Sequence, residues 1–128
     1  MSRVLFLDDD AERHLVADKR WPTSDHEVFH AWNVCQFERM LLKYGPFDLI
    51  SLDHDLGDFR ESNDGYVGGY GERTGLDAAR FICIELPAEQ RPATVIVHSW
   101  NPVGAERMLK LLQDYGIPCR QELFQYED

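Results

Sequence analysis

The chain has 128 residues, a length typical of one domain with a substantial hydrophobic core, and we expect a single domain over residues 1–128. Its composition, 44% hydrophobic and 28% charged, is that of a globular protein, and no apolar run reaches the length of a membrane span. The formal net charge of −10 argues against binding to long nucleic acid, since that binding depends on Lys and Arg that neutralise phosphates. A short nucleotide held in a pocket stays compatible with this charge.

The N-terminus and the cysteines favour a cytoplasmic location without a membrane partner. The sequence enters the apolar run "RVLFL" directly, with no signal peptide before it. Three cysteines (Cys35, Cys83 and Cys119) lie in apolar runs without CxxC spacing. We expect them to be buried free thiols in a reducing compartment.

Five short apolar runs alternate with helical patterns and predict the strands of one sheet. In chain order they are 3–7, 26–32, 47–53, 94–99 and 118–124. The first, third and fourth runs are nearly continuous aliphatics, typical of strands covered on both faces. The second and fifth alternate more strongly between apolar and polar residues, which favours positions at the sheet edges.

Four helical patterns separate these strands, the first at residues 11–20. The other three have capping signals. Asn33 is the predicted N-cap of the second helix, which ends at Gly45, and Thr74 is the N-cap of the third, with Asp77 at the capping-box offset. Asn101 is the N-cap of the fourth, with Pro102 at its first position and Gly116 as its terminator. Alternating strands and helices with right-handed crossovers predict an α/β fold. We expect a single doubly wound, five-stranded parallel sheet in the flavodoxin-like order 2-1-3-4-5.

Ionisable residues gather where the first, third and fourth predicted strands end. The motif "DDD" occupies positions 8–10, "DHD" occupies positions 53–55, and His98 and Ser99 close the fourth strand. Ligands of open α/β sheets bind beyond the carboxyl ends of the strands, so these residues are expected at one rim. Crowded carboxylates cost free energy unless a cation or a reaction uses them, and the rim is therefore predicted to be a functional site.

Carboxylates at this rim predict a site for a divalent cation. Asp8, Asp9 and Asp53 offer the hard oxygen ligands that suit Mg²⁺ or Mn²⁺, with Asp55 as a further ligand. The alternative is that residues 8–10 only cap the first helix, whose N-terminus favours acidic side chains. One aspartate is enough for a cap, so we assign Asp10 to the cap and the others to the cation.

His54 and His98 come from the ends of neighbouring predicted strands and form a candidate acid–base pair. One would act as base and the other as acid, because imidazole titrates near neutrality. The alternative for His98, at a core-facing position of "VIVHS", is a histidine whose hydrogen bonds are satisfied inside the core. We expect His14, His26 and His30 to be structural residues at the surface or the sheet edge.

Residues 57–75, "GDFRESNDGYVGGYGERTG", hold six of the nine glycines and predict a long loop beside the acidic rim. Such a loop is either a lid over a ligand or a mobile surface segment. As a lid it would bring Arg60 or Arg73 to a phosphate, and Tyr66 or Tyr70 to a base. The motif GxxxxGK[ST] does not occur, which excludes a P-loop.

The segments "RVLFLDDDAER", "FDLISLDHDLGD", "TGLDAARFI" and "TVIVHSW" resemble the response-regulator receiver domain over almost the whole chain. The resemblance implies that Asp8 and Asp9 are the acidic metal-binding pair and that Asp53 is the phospho-acceptor. It also places Ser99 at the hydroxyl residue that follows the fourth strand.

The chain departs from that receiver pattern at four places. Receivers have hydrophobic residues where His54 and His98 stand, no insert after the third strand, and a lysine at the end of the fifth. Here no lysine follows Lys110. With "LDHDLG" and "HSWN", these departures resemble the cyclic-phosphate processing receiver domain, which occurs beside RNA-repair and phage systems. For that family, gene context implies a hydrolytic role on cyclic phosphates.

These features together favour a metal-assisted phosphodiesterase that opens a cyclic phosphate on a ribose, an RNA terminus or a small nucleotide. Its catalytic residues would be His54, His98 and Asp53, its metal ligands Asp8, Asp9, Asp53 and Asp55, and its substrate-binding residues Ser99, Asn101, Arg60, Arg73 and Tyr70. Asp55 would either orient His54 or add a ligand to the cation. The sequence leaves open which cyclic phosphate is used, which histidine is the acid, and the oligomeric state.

Two other functions fit the same residues. A stand-alone phospho-receiver would accept phosphate on Asp53, although the missing lysine counts against it. A receiver fold without catalysis would only bind a cyclic nucleotide. A dehalogenase-type phosphatase would share Asp8 and Asp10 as an early DxD motif, but Glu12 stands where that motif needs Thr or Val.

Overall fold

The computed structural model of the chain describes residues 1–56, 58–59 and 72–123. Its strands are β1 (Ser2–Leu7), β2 (His26–Ala31), β3 (Leu49–Leu52), β4 (Asp58–Phe59), β5 (Glu72–Arg73), β6 (Thr94–Val97) and β7 (Cys119–Gln121). Its α-helices are α1 (Ala11–Arg20), α2 (Val34–Tyr44), α3 (Gly75–Arg80) and α4 (Pro102–Asp114). A π-helical turn (Phe81–Glu85) and a 3₁₀ turn (Ala88–Gln90) follow α3.

The main sheet is parallel throughout, with five strands in the order β2-β1-β3-β6-β7. Counted along the chain, these strands have the order 2-1-3-4-5, which confirms the predicted topology. The strands with the most continuous aliphatic runs, β1, β3 and β6, lie in the centre. The two strands with alternating patterns form the edges, as expected.

Strand register brings the site residues to one level. Leu7 is in register with Leu52, and Leu52 is in register with Val97. The next residue in each strand segment is therefore Asp8, Asp53 or His98, and the three emerge side by side at one end of the sheet. A slip by one residue would turn every side chain of a strand to the other face, so the three residues emerge side by side only in this register.

Both faces of the sheet are covered by apolar side chains. On one face, Val4 and Phe6 pack with Ala17 and Trp21 of the α1 region. On the other, a larger cluster joins β1, β3 and β6 to the remaining helices, with Phe37 and Met108 among its fully buried members. Coverage on both sides explains why the central strands are apolar beyond their first residues, with Ser51 as the polar exception.

The predicted helix caps are confirmed by hydrogen bonds. The side chains of Asn33 and Asn101 accept from the backbone N–H groups of Gln36 and Gly104, at 2.8 and 2.9 Å. Thr74 forms the predicted capping box with Asp77. These caps are local features, and each fixes where a helix starts relative to the strand before it.

Two sequence-based expectations need correction in the outer parts of the fold. Cys83 is buried and Cys119 is half-buried, but Cys35 is exposed, so the prediction of three buried thiols is wrong for Cys35. It lies on the outward face of α2, where its apolar neighbours point inward. The third helix is not α-helical to its end, because the Leu86 N–H donates to the Phe81 carbonyl in a π-helical turn.

The ends of the predicted 57–75 loop meet in a small antiparallel ribbon. In it, β4 pairs with β5, and α3 begins directly after Thr74. Residues 57 and 60–71 lie outside the described residues, and the prediction of a lid falls on them. In the described part of the chain, no helix combines the length and apolar character needed to cross a bilayer.

Gly75 is predicted to be essential for the close approach of α3 to the site. A Cβ at Gly75 would overlap the carbonyl oxygen of Asp53 and would lie 2.8 Å from its carbonyl carbon. Because backbone atoms cannot move aside, Gly75→Ala should lower the free energy of unfolding by about 3 kcal/mol or more in urea titrations.

Gly116→Ala is the matched control for that substitution. Gly116 has φ of +73° and a Cβ there would meet nothing within 4 Å. Its substitution should cost only about 1 kcal/mol of backbone strain. An equal effect of the two substitutions would contradict the steric account of Gly75.

Candidate functional site

Two buried carboxylates and one guanidinium form the centre of the rim. Asp8 is fully buried and Asp53 is 4% exposed. From the first turn of α1, Arg13 Nη1 donates to both carboxylate oxygens of Asp8 at 3.1 and 3.3 Å, and to Asp53 Oδ2 at 3.2 Å. One cationic side chain therefore joins the two anionic ones.

The two carboxyl groups have opposite pKa shifts. Burial, followed by the charge of Asp8, raises the pKa of Asp53 to about 7, although Arg13 opposes the shift. Burial also acts to raise the pKa of Asp8, but the hydrogen bonds from His98 and from the Asp10 N–H, together with the charge of Arg13, outweigh it and leave this pKa below its usual value. Asp8 is thus held as the anion, and Asp53 keeps a proton close to neutral pH.

His98 is enclosed beneath Asp8. It is 1% exposed, and its ring stacks on Phe6 with centroids 4.6 Å apart. Nε2 lies 2.8 Å from Asp8 Oδ2, and Nδ1 lies 2.7 Å from Ser51 Oγ. Burial lowers the pKa of His98, so the ring is neutral: Nε2–H donates to Asp8, while Nδ1 accepts from the Ser51 hydroxyl.

Both ring nitrogens of His98 are thus occupied, and neither faces the pocket described below. Its predicted part in proton transfer stays a prediction to which this geometry lends no support. The observed contacts instead favour a positioning role, in which His98 fixes the orientation and charge of Asp8. This corresponds to the alternative expectation of a histidine satisfied inside the core.

His14 also supports Asp8, contrary to the expectation that it lies at the surface or the sheet edge. It is 4% exposed, and its Nε2 is 2.8 Å from the carbonyl oxygen of Asp8. Its Nδ1 meets His30 Nδ1 at 2.6 Å, and Trp32 stacks on its ring. The expectation for His14 is wrong because α1 packs this side chain against the end of β1.

His54, Asp55 and Asn101 form a second polar group between the end of β3 and the start of α4. His54 Nδ1 donates to Asp55 Oδ1 at 2.8 Å, and the Asn101 amide donates to both oxygens of Asp55 at 3.2 Å. The hydrogen bond from His54 contributes most to a lowered pKa of Asp55. Asp55 is thereby kept ionised, and it holds the ring of His54 in one orientation.

The ring of His54 packs directly against the first turn of α4. A Cβ at Gly104 would lie 2.7 Å from His54 Nδ1 and closer still to other ring atoms. Glycine at this position therefore leaves the space that the ring occupies. Among the described residues, His54 Nε2 has no hydrogen-bond partner, so this nitrogen is available for proton exchange.

An open pocket of about 560 Å³ lies over these groups. Its lining comprises Asp9, Arg13, Asp53, Asp55, Ser99, Trp100, Asn101 and Pro102. The volume falls in the range of pockets for small ligands. The wall combines carboxylates, one guanidinium, a hydroxyl, an amide and an exposed indole, a set suited to a polar ligand with an aromatic part.

The structure brings most, but not all, of the predicted site residues to this pocket. Five of them line it, namely Asp9, Asp53, Asp55, Ser99 and Asn101, while Asp8 and His98 lie beneath it. His54 is not part of the lining itself, but it lies against two lining residues, Asp55 and Asn101. Arg73 is not at the pocket, because it forms an ion pair with Glu38 and lines a separate cavity beside α3. Arg60 and Tyr70 lie outside the described residues.

Arg13 was not among the predicted site residues, yet it is the only cationic side chain among the described residues that line the pocket. A signal for it was present. Arg13 occupies the first turn of α1, where the positive end of the helix dipole disfavours a basic residue. An arginine at this position indicates nearby negative charge, and the sequence has acidic residues at positions 8–10. Asp10 itself caps α1, as predicted, by accepting from the Glu12 N–H.

Comparison with known proteins identifies the fold and the family. The model of the cyclic-phosphate processing receiver domain matches residues 3–114. The chain belongs to this family. No protein of curated function matches this cyclic-phosphate processing receiver domain at the level of sequence.

Solved structures of receiver domains share its fold. A signal receiver domain from Vibrio parahaemolyticus has a TM-score of 0.64 at 15% identity, over 97% of this chain and 80% of that one. A Burkholderia pseudomallei response regulator, solved with a phosphorylated aspartic acid and a calcium ion, has a TM-score of 0.60 at 17% identity, over 94% of this chain and 59% of that one. The response regulator domain of Thermotoga maritima CheB has a TM-score of 0.57 at 21% identity, over 94% of this chain and 78% of that one.

Receiver domains bind divalent cations at an acidic pocket, and the residues present here fit such an ion. Ligand atoms of Asp8, Asp53 and His98 lie within 4.8 Å of one another, although His98 is already bonded to Asp8. The carboxylates of Asp9 and Asp53 line the pocket with oxygen donors. The raised pKa of Asp53 means that Arg13 alone does not compensate both buried charges, so a further cation would be stabilised there.

The binding of Mg²⁺ or Mn²⁺ should therefore depend on pH. The pKa of Asp53 is raised to about 7, so a cation must displace a proton below that pH. Calorimetric titration should show an affinity that falls about tenfold per pH unit below 7 and levels off above it.

Asp53→Asn is the control for this titration. The amide carries no proton to displace, so the variant should bind the cation more weakly and without the step near pH 7. A wild-type affinity that stays constant between pH 5.5 and 8 would show that Asp53 does not ligate the ion.

Proposed function

We propose that the protein is a metal-assisted hydrolase that opens a cyclic phosphate on a ribose or a small nucleotide. The observation that supports this proposal most is the composition of the pocket. Ionised and protonatable carboxylates, a hydroxyl and an exposed indole meet at the ends of three strands, in a chain of the cyclic-phosphate processing family.

In this proposal, Asp8, Asp9 and Asp53 hold the divalent cation. When bound, the ion polarises the phosphoryl oxygens and makes the phosphorus more susceptible to attack. Asp8 is fixed for this task by His98 and by the backbone N–H of Asp10, which donates to Asp8 Oδ1 at 2.9 Å. Pre-orientation of a ligand by such contacts strengthens a metal site.

His54 is proposed as the group that transfers the proton. Its Nδ1–H is held by Asp55, so Nε2 can accept a proton from water as the water oxygen bonds to phosphorus. The bond from phosphorus to one ribose oxygen breaks, and that oxygen takes the proton from His54. The product is a phosphate monoester beside a free hydroxyl. Base and acid act in succession in this scheme, so one histidine is sufficient.

Two further side chains of the pocket, those of Ser99 and Trp100, would bind the substrate. Ser99 Oγ accepts from the Asn101 N–H at 3.0 Å, which orients its hydroxyl hydrogen to donate elsewhere, such as to a phosphoryl oxygen. Trp100 is 55% exposed although it lines the pocket. Stacking of a base on an aromatic ring contributes about 1–3 kcal/mol, so the indole favours a nucleoside cyclic phosphate over one without a base.

The central test is turnover of a panel of cyclic phosphates with Mg²⁺ or Mn²⁺, followed by ³¹P NMR of the products. The panel contains nucleoside 2′,3′- and 3′,5′-cyclic phosphates and a cyclic phosphate without a base. His54→Ala should lower kcat by roughly 10²–10⁴-fold, the usual contribution of general acid–base catalysis. His26→Ala is the matched control and should leave kcat unchanged, because His26 begins β2 and pairs with Ser2, at the opposite end of the sheet from the site.

A stand-alone phospho-receiver with Asp53 as acceptor is the second candidate. It is favoured by the receiver fold and by the Burkholderia pseudomallei relative, whose aspartic acid is phosphorylated. In that case acetyl phosphate would label the wild type and His54→Ala equally, and would not label Asp53→Asn. Labelling of this kind, with no cyclic phosphate opened under either metal, would replace the hydrolase proposal by the receiver function.

A further inference from the structure

We propose that Arg13 is an exchangeable counter-ion: its guanidinium bridges Asp8 and Asp53 until a divalent cation binds, and then turns to the phosphate of the ligand. The first half, the exchange of Arg13 for a cation at the two carboxylates, does not depend on any substrate. The second half rests on the proposed function, because it assumes that the pocket receives a phosphate.

The contacts of Arg13 place it between the buried charges and the open pocket. Its Nη1 lies within hydrogen-bonding distance of both carboxylates, and its Nε is 3.7 Å from Asp10 Oδ2. The side chain is nevertheless 24% exposed and lines the pocket. A long side chain with its head at this boundary can reorient without disturbing the core.

A divalent cation bound by Asp8 and Asp53 would remove the reason for the present position of Arg13. The guanidinium and the metal ion would then lie a few ångströms apart on the same carboxylate oxygens. Repulsion between these two positive charges would weaken the binding of the metal ion by about tenfold or more. The first turn of α1 adds to this effect, since the helix dipole also disfavours a cation there. Arg13 and the metal ion therefore compete for the two aspartates.

The phosphate of the ligand is the partner that the pocket offers to a displaced Arg13. The planar guanidinium can donate hydrogen bonds to two phosphate oxygens at once. The lysine that receivers have at the end of the fifth strand is missing here, since no lysine follows Lys110. Arg13 is the only basic residue among the described residues of the lining. Its movement would carry positive charge to the phosphate at the moment when the metal compensates the carboxylates.

The competition is tested by calorimetric titration of Mg²⁺ and Mn²⁺ at pH 8, without any substrate. Arg13→Gln should bind both ions about tenfold more tightly than the wild type or better. Arg20→Gln is the matched control, because Arg20 lies on the same helix and pairs with Glu122 at 3.1 Å, away from the pocket. Its metal affinity should equal that of the wild type. An unchanged or weaker affinity in Arg13→Gln overturns the proposal.

The transfer to phosphate is tested with inorganic phosphate as the probe, at saturating Mg²⁺. Arg13→Gln should weaken phosphate binding about tenfold or more, the usual effect of losing a charged hydrogen bond, whereas Arg13→Lys should lie between it and the wild type. Equal phosphate affinity in all three proteins overturns this half. Neither titration requires turnover, so a failure here is distinct from a failure of the hydrolase proposal.

A measurement on the wild type covers the case in which Arg13→Gln does not fold. The ¹⁵Nε–H NMR signal of Arg13 is assigned by its loss in Arg13→Lys, which keeps the charge. Addition of Mg²⁺ should shift this signal strongly while that of Arg20 stays in place, and phosphate should shift it again. A signal that does not respond to Mg²⁺ shows that Arg13 keeps its partners, and the proposal is then wrong.

Discussion

Two carboxylates, those of Asp8 and Asp53, are buried next to each other where β1 and β3 end. Burying them costs free energy, and the other residues of the site are arranged to offset this cost. Burying one unpaired charge already requires compensation, and burying two together requires more. The fold supplies Arg13 to both carboxylates, and His98 and the Asp10 N–H to Asp8. Asp8 is fully compensated as an anion, whereas Asp53 is not. This inequality explains why the pKa of Asp53 is raised while that of Asp8 is lowered.

Several features that look separate in the sequence serve this one arrangement. The aligned register of the central strands sets the two carboxylates at the same height. Gly75 lets α3 approach the backbone of Asp53, and Gly104 leaves space for the ring of His54. The buried His98 connects Asp8 to Ser51 in the sheet interior. These contacts fix the positions of the polar groups at this end of the sheet.

The fold was predictable from the sequence because its signals are local. Continuous aliphatic runs marked the central strands, and caps such as Asn33 and Asn101 marked helix starts within a residue. The site was predictable only in part. That acidic residues meet at one rim follows from parallel topology, but the partners of Arg13, His14 and His98 depend on how α1 and the sheet pack, which no local pattern encodes. The predicted metal ligands and catalytic residues stay predictions.

The most direct test of the unequal carboxylate pair is the pKa of Asp53 itself. Carboxyl ¹³C NMR of the protein without divalent ions, titrated from pH 3 to 9, should show one aspartate with a midpoint near 7, raised by burial and by Asp8. That midpoint should disappear in Asp53→Asn and move to lower pH when Mg²⁺ is added. A midpoint for Asp53 close to the usual 3.8, with or without Mg²⁺, would contradict the account.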